Sequence, residues 1–434
     1  MTHMQRDTAT GSDIPPSSKR AKPTDAILGS VTMAIFEQRL DEAASGTNRK
    51  VLGVVCMAMN RTGDTLLSHA SGHTSLSPTA QPITPLSILT LSSCTKLLTT
   101  LTALRLVQAS PPLLSLDSTT LIDEHLPELA AQPIITSAPG APLTFEQRSK
   151  PITLRALLTH ASGSGFDILS PQLQAWRRSR GEPCAALSAG LPEAVSAPGL
   201  FDPGEGWAYG GGLDWVGLLI ERTCGEGLGV VMRKEVWDVL GCDYRAGFCR
   251  KELEDEVVEV VTRSEDGDLA PFKYPPTEMK SERGSGGVYC SSANFVRVLA
   301  DLISPTPKLL TAQTLDLLFS AQFGEGSKPL DSLRQASPVF KGMTGALTGE
   351  LPATAINHGL GGLLVTEDNP DLGRTKGTMT WGGSCNCLWF VNRDVGIAGW
   401  YGSSMFPPGD PTSGELMGAF AREVWQRVRE GKGQ

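Results

Sequence analysis

From residue 25 the apolar positions fall into a helical period: Ile27, Val31, Met33, Ala34, Phe36 and Leu40 predict a helix from Asp25 to about Ala44. The period then gives way to a continuous apolar run, Val51 to Met59, which reads as a buried strand. Asn60-Arg61-Thr62-Gly63-Asp64 is a turn, and Thr65 to His69 starts a partner strand, so an antiparallel hairpin follows the first helix. After Ser93 the pattern is helical again, with Leu97, Leu98, Leu101 and Leu104 in a run to Val107. Further helices are predicted over Thr153 to His160, Leu213 to Arg222 and Leu228 to Leu240. Another, capped by Ser291-Ser292-Ala293-Asn294, runs through Leu302. Strands return at Gly361 to Thr366, Cys387 to Val391 and Val395 to Tyr401. An amphipathic helix from Gly414 to Val428 ends the pattern, with Leu416, Ala419, Phe420 and Val424 on one face.

Strands near both ends with helices between them predict an α/β fold. One antiparallel sheet would be built from both chain ends and flanked by helices, with a large, mainly helical insert. The predicted division is a disordered tail over 1–24 and a single unit over 25–434. Within that unit an α/β body takes 25–92 plus 284–434, and a helical subdomain takes 93–283. The tail is rich in Thr, Ser, Pro and Lys without a period. The stretch 251–283 is charge-dense and interrupted by Pro271, Pro275 and Pro276, which predicts a surface excursion. No internal repeat is visible.

Bulk composition narrows the function classes. The 434 residues are 40% hydrophobic and 19% charged, a folded rather than a disordered balance. The net charge of −8 provides no basic field for nucleic acid. Nine cysteines, an odd count scattered along a long chain, argue for reduced thiols rather than a disulfide framework. Cys385 and Cys387 are too close together for a zinc knuckle, and no metal or organic cofactor is implied. The first thirty residues carry no apolar signal segment and no apolar run is long enough to span a bilayer, so a soluble, cytoplasmic protein without membrane partners is expected.

One stretch stands out chemically. Ser93-Cys94-Thr95-Lys96 places a lysine three residues after a serine inside an apolar helix pattern. A buried ammonium must be paired or lose its proton; the bland alternative is a lysine stem reaching back to water. On a helix the two residues share a face, and a desolvated lysine can help deprotonate a serine. The tetrapeptide alone is a weak signal. Phe201-Asp202-Pro203-Gly204-Glu205-Gly206-Trp207-Ala208-Tyr209 presents Tyr209 from a Gly/Pro-rich loop just before a helix. Thr380-Trp381-Gly382-Gly383-Ser384 opens the late strand pair, with two glycines that admit a close backbone approach. His160 invites a Ser-His-Asp reading, but no Gly-x-Ser-x-Gly elbow exists in the chain, which argues against it.

Taken together these stretches resemble the serine β-lactamase and penicillin-binding superfamily. The likeness is to its carboxylesterase and fungal acyltransferase branch, which holds the transferase that completes lovastatin. Matching stretches are Ser93 to Thr99, Ser115-Leu116-Asp117 with Leu126 to Leu129, Thr153 to Gly163, Phe201 to Gly204 with Trp207 and Tyr209, Gly286 to Ser291, and Trp381-Gly382-Gly383. They cover about 27–430. The resemblance implies that Ser93 is the acylated nucleophile, that Lys96 eases its deprotonation and that Tyr209 shuttles the proton. It also implies an oxyanion hole made by the backbone N–H groups of Ser93 and of Ser384, which follows Trp381-Gly382-Gly383 on an edge strand. Whether Lys96 or Tyr209 is the base stays open.

Two departures shape the expected substrate. Trp381 stands where penicillin-handling relatives carry a lysine for the substrate carboxylate, and Gly211 stands where others carry asparagine. Both favour an ester or thioester with an apolar body over β-lactams. Trp381, Gly382, Gly383, Gly211, Phe272 and Tyr274 are therefore the expected substrate-binding residues, with 251–283 a candidate lid. The resulting expectation is a serine acyltransferase. It would move an acyl group from an ester or thioester, including one held on a carrier protein, to the hydroxyl of a bulky secondary metabolite. The alternatives are a carboxylesterase, or a repurposed binding protein or isomerase/cyclase.

Overall fold

The apolar run after the first helix becomes an interior strand of a sheet, one place in from its edge. The computed structural model describes residues 25–185, 190–248, 253, 256–274, 280–344, 353–368 and 375–431, the side chains of 25–34, 337–344 and 353 apart. The tail expected over 1–24 lies outside them. Helix α1 (Asp25–Ala44) leads into β1 (Gly53–Asn60) and β2 (Thr65–Gly72). The chain then passes through β3 (Ile88–Thr90), α2 (Thr95–Val107), α3 (Leu154–Leu158), α4 (Gly212–Cys224) and α5 (Leu228–Met232). Next come β4 (Ala246–Phe248), β5 (Val261–Arg263), β6 (Leu269–Pro271), β7 (Val288–Ser291) and α6 (Ser292–Ile303). The last part holds β8 (Ile356–His358), β9 (Leu363–Val365), β10 (Thr378–Gly383), β11 (Cys387–Asn392), β12 (Ile397–Ser403), β13 (Met405–Phe406) and α7 (Pro411–Arg429).

Among the described residues seven strands form one antiparallel sheet in the order β8-β9-β10-β11-β12-β1-β2. The two chain ends meet at β1 and β12, in register from Val54 opposite Ser403 to Asn60 opposite Ile397. Successive side chains on a strand face opposite ways, and Trp400 and Tyr401 use this to anchor a helix on each side. Phe420 of α7 packs on Tyr401, while Trp400 packs on Phe295 and its indole N–H donates to Ser292 Oγ of α6 at 2.9 Å. Helices α1 and α7 lie together on the first face, joined by Phe36 against Phe420 and by Arg427 bonded to Glu37 at 2.6 Å. Among the described residues no helix is long and apolar enough to cross a membrane.

The structure departs from the sequence expectations in four places. The excursion over 251–283 is partly structural: β5 and β6 form a hairpin, and β5 pairs in parallel with β13. Val258, Val260 and Val261 are buried there, so apolar positions hidden among charges carry the strand. The helix expected over Leu228 to Leu240 keeps α geometry only to Met232 and widens into a π turn over Arg233–Trp237, with Val236 and Trp237 buried. The strand carrying Trp381-Gly382-Gly383 is not an edge strand, because β10 lies between β9 and β11. Its β9 partner reaches only as far as Thr380, however, so the three residues beyond are paired on one side alone. Finally, Ser93 is not on the helix with Lys96 but in a 3₁₀ turn, Ser92–Cys94, directly before α2.

Candidate active site

The turn that carries Ser93 is set by its neighbours. Ser92 adopts the left-handed region, with φ of +45°, a conformation that costs a non-glycine residue energy and is common at functional sites. Its side chain is buried, and its Oγ donates to Cys385 Sγ at 3.4 Å. The end of β10 presses on the same turn. A Cβ at Gly383 would lie 2.7 Å from the Leu91 carbonyl oxygen and 3.2 Å from Ser92 Cβ. Glycine is therefore required for the end of β10 to lie this close to the turn.

Lys96, one residue into α2, is 4% exposed. Its Nζ donates to Ser93 Oγ at 3.2 Å and to the Ser285 carbonyl oxygen at 2.7 Å. It also sits 4.6 Å from the centroid of the Tyr209 ring. Burial pulls its ammonium down to about 7; the nearby Asp214 carboxylate opposes that fall, and Arg283 adds to it. The bland expectation of a stem reaching to water is thereby excluded.

Tyr209 arrives on the loop read from the sequence. Ala208 N–H donates to the His160 carbonyl at 3.0 Å, and Gly204 N–H to the Ala161 carbonyl at 2.8 Å. A Cβ at Gly210 would fall 1.9 Å from the Ser164 carbonyl oxygen, so only glycine lets the loop lie this close. The Tyr209 hydroxyl stands 2.7 Å from Ser93 Oγ. Burial pushes the phenol well above its usual range, and bonds with Ser93 and Trp381 offset part of that rise. At neutral pH the phenol therefore keeps its proton, while about half of the Lys96 side chains are neutral amines able to take one.

Three contributors were not read from the sequence. Asp214 on α4 is fully buried and pairs with the equally buried Arg283 at 2.6 Å. Its other oxygen accepts the Ser285 N–H at 2.9 Å, and the carbonyl of that same residue receives Lys96. Burial works to raise the Asp214 carboxyl, but Arg283 and the Ser285 amide outweigh it and hold it below its usual value. An acid in the apolar run Leu213 to Ile220 was as anomalous as Lys96 and was the available signal. Arg283 lies in a loop with no period and gave none.

The expected substrate-binding residues divide. Trp381 is 3% exposed and backs Tyr209 at 5.5 Å between ring centroids. It is thus a support for the phenol rather than an open apolar wall, because its ring turns inward to stack on His160. Gly211 caps α4 and lies under Val195, whose Cγ1 would be 2.5 Å from a Cβ there, so no side chain could project into a site from that position. Gly382 is a paired, buried strand residue opposite Leu388. Tyr274 does reach the site: its hydroxyl lies 3.0 Å from Ser384 Oγ. Burial pushes this second phenol up to about 12. Phe272 stacks on Phe406 at 4.4 Å and holds the Tyr274 segment against β13. His160 packs on Tyr209 with ring centroids 5.0 Å apart, behind the phenol. Among the described residues no group of three or more His, Cys, Asp or Glu side chains could hold a metal ion.

Against known proteins, the profile of the Beta-lactamase family matches residues 34–416. The chain is 30% identical over 421 residues to acyltransferase calJ of Penicillium decumbens, covering 92% of this chain and 99% of that one. It is 31% identical over 397 residues to the lovastatin esterase of Penicillium rubens, covering 89% and 97%. The unliganded simvastatin synthase of Aspergillus terreus superposes with a TM-score of 0.80 at 27% identity, over 91% of this chain and 98% of that one.

Proposed function

The chain belongs to the Beta-lactamase family, and from that premise we propose that it transfers an acyl group through an acyl-Ser93 intermediate. In this reading residues 25–434 act as one catalytic unit in the cytoplasm. The donor is an acyl thioester, free or bound to a carrier protein, and the acceptor is an alcohol on a bulky metabolite. Relatives named as methylbutanoyltransferases make a short branched acyl group the first donor to try. The observation that carries the proposal is Ser93 Oγ held between the Tyr209 hydroxyl at 2.7 Å and Lys96 Nζ at 3.2 Å.

The steps follow from the proton inventory. Ser93 Oγ attacks the acyl carbon, and its proton passes to the Lys96 amine, directly or through Tyr209. The pulled-down ammonium favours Lys96 as the resting acceptor and the raised phenol favours Tyr209 as the relay. The carbonyl oxygen gains charge beside the N–H groups of Ser93 and Ser384. The C–S or C–O bond to the leaving group breaks as that group takes the proton back. The acceptor hydroxyl then repeats the sequence in reverse and frees Ser93.

The test is intact mass after mixing with a methylbutanoyl thioester, then product analysis with and without candidate alcohols. A mass gain on Ser93, lost in Ser93→Ala, and an ester product are expected. Free acid alone in every case would select the second reading, a carboxylesterase, which the likeness to lovastatin esterase favours. No covalent adduct would overturn both.

A further inference from the structure

Behind Lys96 the structure holds a second polar site. A space of about 10 Å³ is bordered by Lys96, Thr100, His160, His358, Leu360 and Trp381, among others. That is about the least room that can hold one water molecule. Thr100, His160 and His358 are 1%, 3% and 2% exposed. Each has a buried polar atom with no hydrogen-bond partner among the described residues: Thr100 Oγ1, His160 Nδ1 and His358 Nε2. Thr100 is unlike its neighbours here, since Thr99 and Thr102 donate to carbonyls one turn back at 3.4 and 2.8 Å. Three buried polar atoms left unsatisfied would cost several times what one buried hydrogen bond contributes.

The bonding roles can be assigned. His358 Nδ1 bonds the Gly359 carbonyl oxygen, which only accepts, so the proton of the neutral ring is on Nδ1. His358 Nε2 is then a lone pair that needs a donor. The two imidazoles cannot serve each other: their rings stand edge to face with centroids 5.8 Å apart and neither nitrogen reaches the other. A water molecule can donate to His358 Nε2, accept from Thr100 Oγ1 and bond His160 Nδ1, which completes three hydrogen bonds.

We propose that this space is a binding site for one water molecule, held by Thr100, His160 and His358, that fixes the two histidines as neutral rings behind Tyr209 and Trp381. His160 packs on both of those aromatic rings and His358 on Trp381. The water thus locks the wall on which the phenol rests. Burial already holds the His358 ring down to about 4 and pulls His160 well below its usual value, so neither competes with Lys96 for protons at neutral pH. This inference stands on geometry alone and does not depend on acyl transfer.

Two measurements on the full chain test it. A crystal structure fine enough to resolve waters should show one solvent peak within hydrogen-bonding distance of all three atoms. A dry space, or a ring turned to a protein partner, overturns the proposal. Independently, ¹⁵N spectra of the histidine rings should show His358 protonated on Nδ1 and bare on Nε2 throughout pH 5–8. Thr100→Val, close to isosteric, should shift the His160 and His358 nitrogens, and Thr100→Ser should restore them. The opposite tautomer, or spectra indifferent to Thr100→Val, overturns it. Should that variant not fold, the wild-type spectra and the crystal decide.

Discussion

Lys96 Nζ has two oxygen partners, Ser93 Oγ and the Ser285 carbonyl, and little contact with water. Its ammonium falls from 10.5 to about 7 on burial. Between those values the unfolded chain binds the extra proton, so the wild type gains stability as pH rises from about 7 toward 10.5. Below pH 7 the full burial cost applies, on the order of 5 kcal/mol at the limit. Lys96→Met should therefore be more stable than the wild type at pH 6, with the gap closing toward pH 10; denaturant melts across that range measure it. The same titration requires acylation of Ser93 to rise through about pH 7 and level off above it. Tyr209→Phe keeps the ring against Trp381 but removes the relay. It should lower kcat/KM for an activated ester by about 10²–10⁴-fold, with melting temperature little changed.

At the scale of elements, α4 does two jobs. Its apolar side packs into the core, and its first turn supplies Asp214 to the Arg283 pair. Breaking a buried ion pair by removing one partner costs about 3–5 kcal/mol. Asp214→Asn should therefore unfold at clearly lower denaturant. It should also move the acid limb of the acylation profile to lower pH, because Asp214 raises the Lys96 value and an unpaired Arg283 lowers it. A limb that stays near pH 7 in a folded variant would remove Asp214 from the proton inventory. Helices and long strands were legible because each spends many residues on one period: α1, β1 and α6 fall close to where their apolar spacing put them. The hairpin β5–β6 was not, since its strands are three residues long and lie among charges.

Across the whole molecule the site is a junction. Ser93 follows a strand near the start of the chain, Tyr209 comes from the long insert, and Ser384 directly follows β10 of the seven-stranded sheet. Tyr274 ties the insert to that sheet through Ser384 Oγ, 110 residues away. Losing one such bond, worth about 1 kcal/mol, should loosen the turn that presents Ser384. Tyr274→Phe is thus expected to lower kcat about fivefold with KM nearly unchanged, and Ser384→Ala should reproduce the effect in steady-state assays. A change in KM alone would instead make Tyr274 a substrate contact.

What the amino-acid order determined by itself is local and periodic. The helix and strand spacings, the lysine one turn from a serine, and the glycine-flanked tyrosine are all written in consecutive residues, and their order along the chain carried the family resemblance. What only the folded chain decided joins residues far apart. Ser93 stands in a 3₁₀ turn whose neighbours Leu91 and Ser92 lie against Gly383 and Cys385. Trp381 is turned inward onto His160 rather than left as an open wall, and Lys96 is held by a carbonyl whose own amide is fixed by a buried ion pair. Such contacts leave no period in the sequence, because which polar groups share a dry interior is settled only when the sheet closes and water is expelled.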